Sequence, residues 1–126
     1  MTRHSANFEA LVAEVKKRVR EISPQEVAKK LAAGEVFHLV DVREDHEWAV
    51  AHAAGAIHIG KGIIERDIEK HIPDYDTAIV LYCGGGYRSA LAADNIQKMG
   101  YNHVLSMAGG MRAWQAASLP LAQKDA

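Results

Sequence analysis

The only cysteine of the chain, Cys83, lies in "VLYCGGGYRSALAADNI" (Val80 to Ile96), between an apolar run and an alanine-rich run with helical character. Thiolate is the reactive form of cysteine, and a free thiol with a pKa of about 8.5 is mostly protonated near neutrality. The residues that follow Cys83 can change that. Gly84, Gly85 and Gly86 allow a sharp turn, and successive N–H groups in such a turn can converge into an anion-binding nest. A helix beginning there adds the positive end of its dipole. Arg88 is placed to stabilise the anion, Ser89 to donate a hydrogen bond, and Tyr87 either to cover the sulfur or to face solvent. Free cysteines are commonly inert core residues, but a core cysteine needs no glycine loop and arginine beside it. The constellation predicts an activated nucleophile.

Other polar residues read differently. Asp41 and Arg43, in "DVRE", directly follow a second apolar run. They are expected to support the loops as a buried ion pair rather than to touch a substrate. His46-Glu47 starts like H-E-x-x-H, but Val50 occupies the second histidine position, and His52 and His58 are too scattered for a ligand set. No metal is expected, and His52 is expected to fix a turn. Gly109 and Gly110 read as a tight packing turn in preference to an anion site. Trp114 reads as core, while Trp48 stays open between core and pocket wall.

Two buried strands must carry the loops: "VFHLVDV" (Val36 to Val42) and "AIVLYC" (Ala78 to Cys83), both apolar enough to be covered on two faces. Around them, helical spacing predicts an amphipathic helix from Asn7 to Val19, whose apolar stripe must dock on its own domain or on a second copy, as in a homodimer. "SPQE" offers Ser23 as cap, Pro24 at the first helical position and Glu26 for a capping box, so a helix runs from Pro24 to Ala33 and stops at Gly34. Arg20 to Ile22 suits a short edge strand. "EDHEWAVAH" is a short helix, "GAIHI" a strand, "GIIERDIEKHI" a helix, "SALAADNIQKM" a helix closed by Gly100, "HVLSM" a strand, and "GGMRAWQAA" a last helix, with order ending at Leu119-Pro120. Alternating strands and helices call for an α/β three-layer sandwich, a parallel sheet with helices on both faces. In such sheets ligands sit beyond the carboxyl ends of the strands, where Cys83 lies.

The 126 residues suit one domain: residues 1–19 as a helical extension, 20–119 as the α/β domain and 120–126 as a tail. With 15 basic and 16 acidic residues, the charge balance points to neither nucleic acid nor a membrane surface as partner. No apolar run is long enough for a signal peptide or a membrane span. A lone thiol fits a reducing compartment, hence a cytoplasmic location.

Four segments resemble the rhodanese family of sulfurtransferases: "DVRE" its D-x-R motif, "HAAGAIHI" (His52 to Ile59) its H-x-x-G-A segment, "CGGGYRSA" its active-site loop and "AGGMRAWQ" (Ala108 to Gln115) its closing G-G-x-x-x-W motif. The resemblance implies a five-stranded sheet, no cofactor and a thiosulfate sulfurtransferase-like enzyme. Cys83 would take a sulfane sulfur from thiosulfate or a persulfide and pass it to cyanide, a thiol or a sulfur-accepting protein. Two covalent half-reactions imply ping-pong kinetics. With no second cysteine, the persulfide cannot be resolved within the chain. The alternative is a sulfur-relay or regulatory module with little small-molecule turnover. Dual-specificity phosphatases resemble the same fold, but their loop is one residue longer than the four residues between Cys83 and Arg88. That places phosphatase or arsenate reductase chemistry third. The loop also lacks a basic residue ahead of Arg88, so a dianionic donor is expected to bind weakly and a thiol-bound donor remains open.

Overall fold

The computed structural model describes residues 4–123. Helix α1 spans Ala6–Lys16, and Ser5 caps it by accepting the Phe8 N–H at 3.3 Å. It ends before the predicted Val19, but Val19 still joins Val12 and Val15 in the core. The stripe therefore docks on its own domain, principally against α5. Strand β1 (Arg20–Ile22) leads to Ser23, which caps α2 (Pro24–Ala32) by accepting the Glu26 N–H at 3.1 Å.

Strand β2 covers only His38–Asp41. The prediction began at Val36, yet Val36 is 91% exposed. The ladder starts where the His38 N–H meets the Ala78 carbonyl at 2.9 Å, and β-propensity alone does not extend a strand beyond its partner. There follow α3 (Asp45–Val50), β3 (His52–Ala53), β4 (Ile57–His58), α4 (Ile64–His71), β5 (Ile79–Tyr82), α5 (Tyr87–Lys98), β6 (Val104–Met107), α6 (Gly110–Ala116) and β7 (Leu121–Ala122). The main sheet has the order β1-β6-β5-β2-β4, and every pairing in it is parallel. This is the five-stranded three-layer α/β fold.

Strand β5 lies in the middle, and all four of its residues are buried. Side chains alternate between faces along a strand. Val80 and Tyr82 pack with Val27 of α2 and with Met111 and Trp114 of α6. Ile79 and Leu81 pack with α1, α4 and α5, and Cys83 continues that face. The sulfur therefore emerges on the side covered by α5 and α1.

The sequence predicts that order ends at Leu119-Pro120, but β7 lies beyond it and pairs antiparallel with β3. The Trp114 indole N–H donates to the Pro120 carbonyl at 2.8 Å, tying that segment to α6.

Candidate active site

Cys83 is 1% exposed, at the carboxyl end of the central strand. Gly86, at φ +96°, turns the chain into α5. Its N–H donates to the Cys83 Sγ at 3.1 Å, and the Ser89 N–H donates at 3.3 Å. The Ser89 hydroxyl stands 3.5 Å from Sγ and 2.8 Å from the hydroxyl of Ser106 on β6. With Sγ ionised, Ser89 can donate to sulfur while accepting from Ser106. Burial pushes the thiol pKa up; the Ser89 hydroxyl and the Ser89, Gly85 and Gly86 amides pull it down and prevail, so it lies below the ordinary value.

Arg88 is not free above the sulfur. Its guanidinium forms a two-pronged ion pair with Glu47 of α3, at 2.8 and 3.3 Å. Glu47 is held down to about 2, first by the Arg88 hydrogen bond, against burial, and then by the Glu44 N–H. Arg88 also faces the Cys83 sulfur, and the Glu47 carboxylate offsets the positive charge that the arginine alone would have offered the site.

The loop is fixed from the other side by α6. The Met111 N–H donates to the Cys83 carbonyl at 2.7 Å, and the Arg112 N–H to the Gly84 carbonyl at 3.1 Å. Gly110, at φ +54°, lies so close that a Cβ there would come within 2.3 Å of the Cys83 carbonyl oxygen. Gly109 and Gly110 therefore make a close packing turn, and two N–H groups of the first turn of α6 are occupied by loop carbonyls.

A cavity of about 230 Å³ opens at Cys83. The loop contributes Gly85, Tyr87 and Arg88, and α6 contributes Arg112. The remaining lining residues are Phe8 of α1 and His4 just before it. Tyr87 neither faces open solvent nor caps the sulfur alone; its ring packs against His4 at 4.5 Å and Phe8 at 5.7 Å between centroids. A larger hollow of about 600 Å³ lies at the amino ends of β5 and β6, lined by Arg18, Arg20 and Lys30 among others, and contains no thiol or hydroxyl nucleophile.

Asp41 and Arg43 are away from this cavity. Asp41 is fully buried and receives Arg43 Nη2 at 2.8 Å, Arg43 Nε at 3.0 Å and the Arg43 N–H at 2.9 Å. Arg43 Nη2 also donates to the Ala51 carbonyl at 2.7 Å. His52 and His58 flank Trp48, with ring centroids 3.4 and 5.1 Å from it. His52 Nδ1 meets the Trp48 carbonyl at 3.1 Å, and His58 Nε2 the Arg43 carbonyl at 2.8 Å. Trp48 thus packs between histidines and does not line the cavity at Cys83.

The profile of the rhodanese-like domain matches residues 23–117. The chain belongs to the rhodanese family. Among rhodanese relatives, it is 32% identical over 102 residues to the thiosulfate sulfurtransferase GlpE of Haemophilus influenzae, covering 81% of this chain and 93% of that one. It is 34% identical over 99 residues to the probable adenylyltransferase/sulfurtransferase MoeZ of Mycobacterium tuberculosis, covering 79% of this chain but only a quarter (25%) of MoeZ. A solved protein of unknown function from Rhodopseudomonas palustris, described as a possible tyrosine phosphatase, superposes with a TM-score of 0.81 at 25% identity, over 97% of this chain and 99% of that one.

Sequence reasoning missed five residues that shape this rhodanese site: His4, Phe8, Glu47, Ser106 and Arg112. Ser106, a hydroxyl in the otherwise apolar strand segment "VLSM", was the one with a legible signal. Arg112 lay inside a recognised motif but was not assigned to the pocket. Glu47 gave no local hint, because its partner is 41 residues away.

Proposed function

We propose that this rhodanese is a sulfurtransferase that moves sulfane sulfur through a persulfide on Cys83. The observation that carries this reading is the convergence of the Gly86 and Ser89 amides and the Ser89 hydroxyl on a buried Sγ. Donors fixed where charge resides stabilise it without reorganising, as in an oxyanion hole. In the first half-reaction Sγ attacks the outer sulfur of a donor such as thiosulfate, the donor S–S bond breaks, and sulfite leaves with the electron pair. In the second, a thiophilic acceptor (cyanide, a thiol or a protein thiolate) attacks the outer sulfur and Cys83 returns as thiolate. Gly84 to Ser89 cradle the sulfur; Asp41 and Arg43 support the neighbouring loop. A reactive thiol of this kind suits a reducing, cytoplasmic setting. No described helix is long and apolar enough to cross a membrane.

Intact-mass measurement tests the reading. Incubation with a sulfane donor should add one sulfur atom to the protein and none to Cys83→Ser. An unchanged mass with thiosulfate and with organic persulfides alike would falsify it.

A second reading, sulfur relay to a protein with slow small-molecule turnover, is favoured by the charge balance at the mouth, where Glu47 neutralises Arg88. Rapid thiocyanate formation from thiosulfate and cyanide would remove it. Phosphatase or arsenate reductase chemistry is less well supported, because the arginine that would grip an oxyanion is already engaged by a carboxylate. Hydrolysis of a phosphoester, or arsenate reduction, by the native protein but not by Cys83→Ser would reinstate it.

A further inference from the structure

The hollow of about 600 Å³ at the amino ends of β5 and β6 shares no lining residue with the Cys83 cavity. Val80, on its floor, lies three residues before Cys83, so about 10 Å of β5 separates it from the sulfur-bearing residue. Sheet register explains why the hollow is open. Leu39, Val80, Leu105 and Arg20 are partners across β2, β5, β6 and β1, so their side chains share one face. Val27 of α2 packs with Leu39 and Val80, each of them buried. Leu105 is half-buried and Arg20 is exposed. The row is therefore roofed at β2 and open at β1. Phe37, half-buried ahead of β2, and Lys30, in the last turn of α2, also line the hollow, with the ammonium 5.8 Å from the ring centroid.

Three cations line this space, Arg18, Arg20 and Lys30, and no carboxylate does. Two of the three are engaged. Arg18 forms a two-pronged pair with Asp94 at 2.7 and 3.0 Å, and Lys30 pairs with Glu35 at 3.0 Å. Arg20 pairs with no carboxylate among the described residues. The hollow thus offers one uncompensated positive charge beside an apolar floor and an aromatic ring. Small-molecule sites commonly take this form, a cleft of about 300–1,000 Å³ with an apolar lining and a few placed polar groups. A guanidinium holds a carboxylate by two parallel hydrogen bonds. A polyanion would bring more negative charge than one free guanidinium offsets, and a neutral ring would leave that guanidinium unused.

We propose that this hollow binds a flat aromatic monocarboxylate, with Arg20 taking the carboxylate and Phe37, Val80 and Leu105 taking the ring. Because it lies at the opposite end of β5 from the sulfur, it can be filled while Cys83 is at work.

Titration of the full chain with 2-naphthoate, followed by two-dimensional amide NMR, tests the proposal. The Ala78, Val104 and Leu105 amides should move saturably, while those of Gly85 and Tyr87 stay in place. 2-Naphthamide, which keeps the rings without the charge, and inorganic phosphate, which has charge without rings, should each bind at least about fivefold more weakly. Arg20→Gln should raise the Kd for 2-naphthoate about fivefold, the order expected of one exposed charged contact. Phe37→Leu should raise it by about as much, for the loss of one aromatic pair. Lys17→Gln, at an exposed position outside the hollow, should leave it unchanged. Thermal melting identifies a variant that does not fold, and Arg20, being exposed, provides one independent of core packing. Shifts centred on the Cys83 loop, equal binding of 2-naphthamide, a Kd that Arg20→Gln does not move, or a loss that Lys17→Gln reproduces would each overturn the proposal.

Discussion

Strands β2 and β5 run side by side and end at the same edge of the sheet, but their carboxyl ends are finished in opposite ways. At the end of β2, Asp41 is enclosed by the guanidinium and amide of Arg43, and Arg43 Nη2 also donates to the Ala51 carbonyl. Both carboxylate oxygens of Asp41 meet permanent partners, and neither residue lines the cavity at Cys83. At the end of β5, the donors converge on a single sulfur and an open cavity adjoins it. A buried carboxylate with both oxygens paired to a neighbouring arginine is a scaffold. A buried anion satisfied on one side, with space on the other, can accept and release an atom. The contrast teaches that burial and charge do not by themselves mark a reactive site; the unfilled direction does.

That contrast can be broken most forcefully at β2. Asp41→Ala leaves the Arg43 cation buried without its partner and should cost about 3–5 kcal/mol in urea unfolding, while the alkylation pH profile of Cys83 in the folded fraction stays put. A shift in that profile would mean the two strand ends are not separable. Gly110→Ala should come next. It forces a side chain into a left-handed position, worth about 1–3 kcal/mol of strain, and directs a Cβ at the Cys83 carbonyl. Here stability and thiol reactivity should fall together, which an effect confined to the scaffold would not produce.

The hydroxyl pair sharpens the β5 side. Ser89→Ala removes a donor that lowers the Cys83 pKa, so the midpoint of iodoacetamide reactivity should move to higher pH, with a drop of about tenfold in rate at neutral pH, the order expected for a hydrogen bond to an ion. Ser106→Ala should act in the same direction but by a smaller amount, with Ser106→Thr restoring the native profile. An unaltered midpoint in both variants would show that the amides alone hold the thiolate. The smallest effect belongs to Glu47. Its folded pKa is depressed to about 2 from 4.5, so its contribution is fully present above the unfolded value and is lost as pH falls toward 2. The pair is partly exposed and contributes about 1 kcal/mol or less. Glu47→Gln should therefore flatten the acid limb of the stability curve between pH 4.5 and 2, and an acid limb identical to the native one would remove the ion pair from the account.

Much of the frame was legible because it is written locally. Gly34, Gly86 and Gly100, all at positive φ, punctuate helices in the chain itself, and the fully apolar β5 declared its central position without reference to its neighbours. What escaped depends on distant partners. Val36 has strand-like chemistry but nothing to pair with, whereas Leu121–Ala122 has little strand character but lies beside β3. Within the site, the cysteine loop was readable as a contiguous string, but Ser106 and Arg112 reach it from a neighbouring strand and from the last helix. Arg88 was readable as a residue near the thiol but not as one already paired. Sequence reports which groups are available; only the fold reports which are occupied.

The grip of α6 on the loop carbonyls has a mechanical corollary. In a trans peptide unit the C=O and the next N–H point in opposite directions across a rigid plane. Anchoring the Gly84 oxygen on the Arg112 amide tilts that plane like a lever, which swings the Gly85 hydrogen toward the sulfur it helps to stabilise. The last helix thus aims an electrostatic contact it never touches, and any motion that lifts its opening turn would detune the thiol from behind.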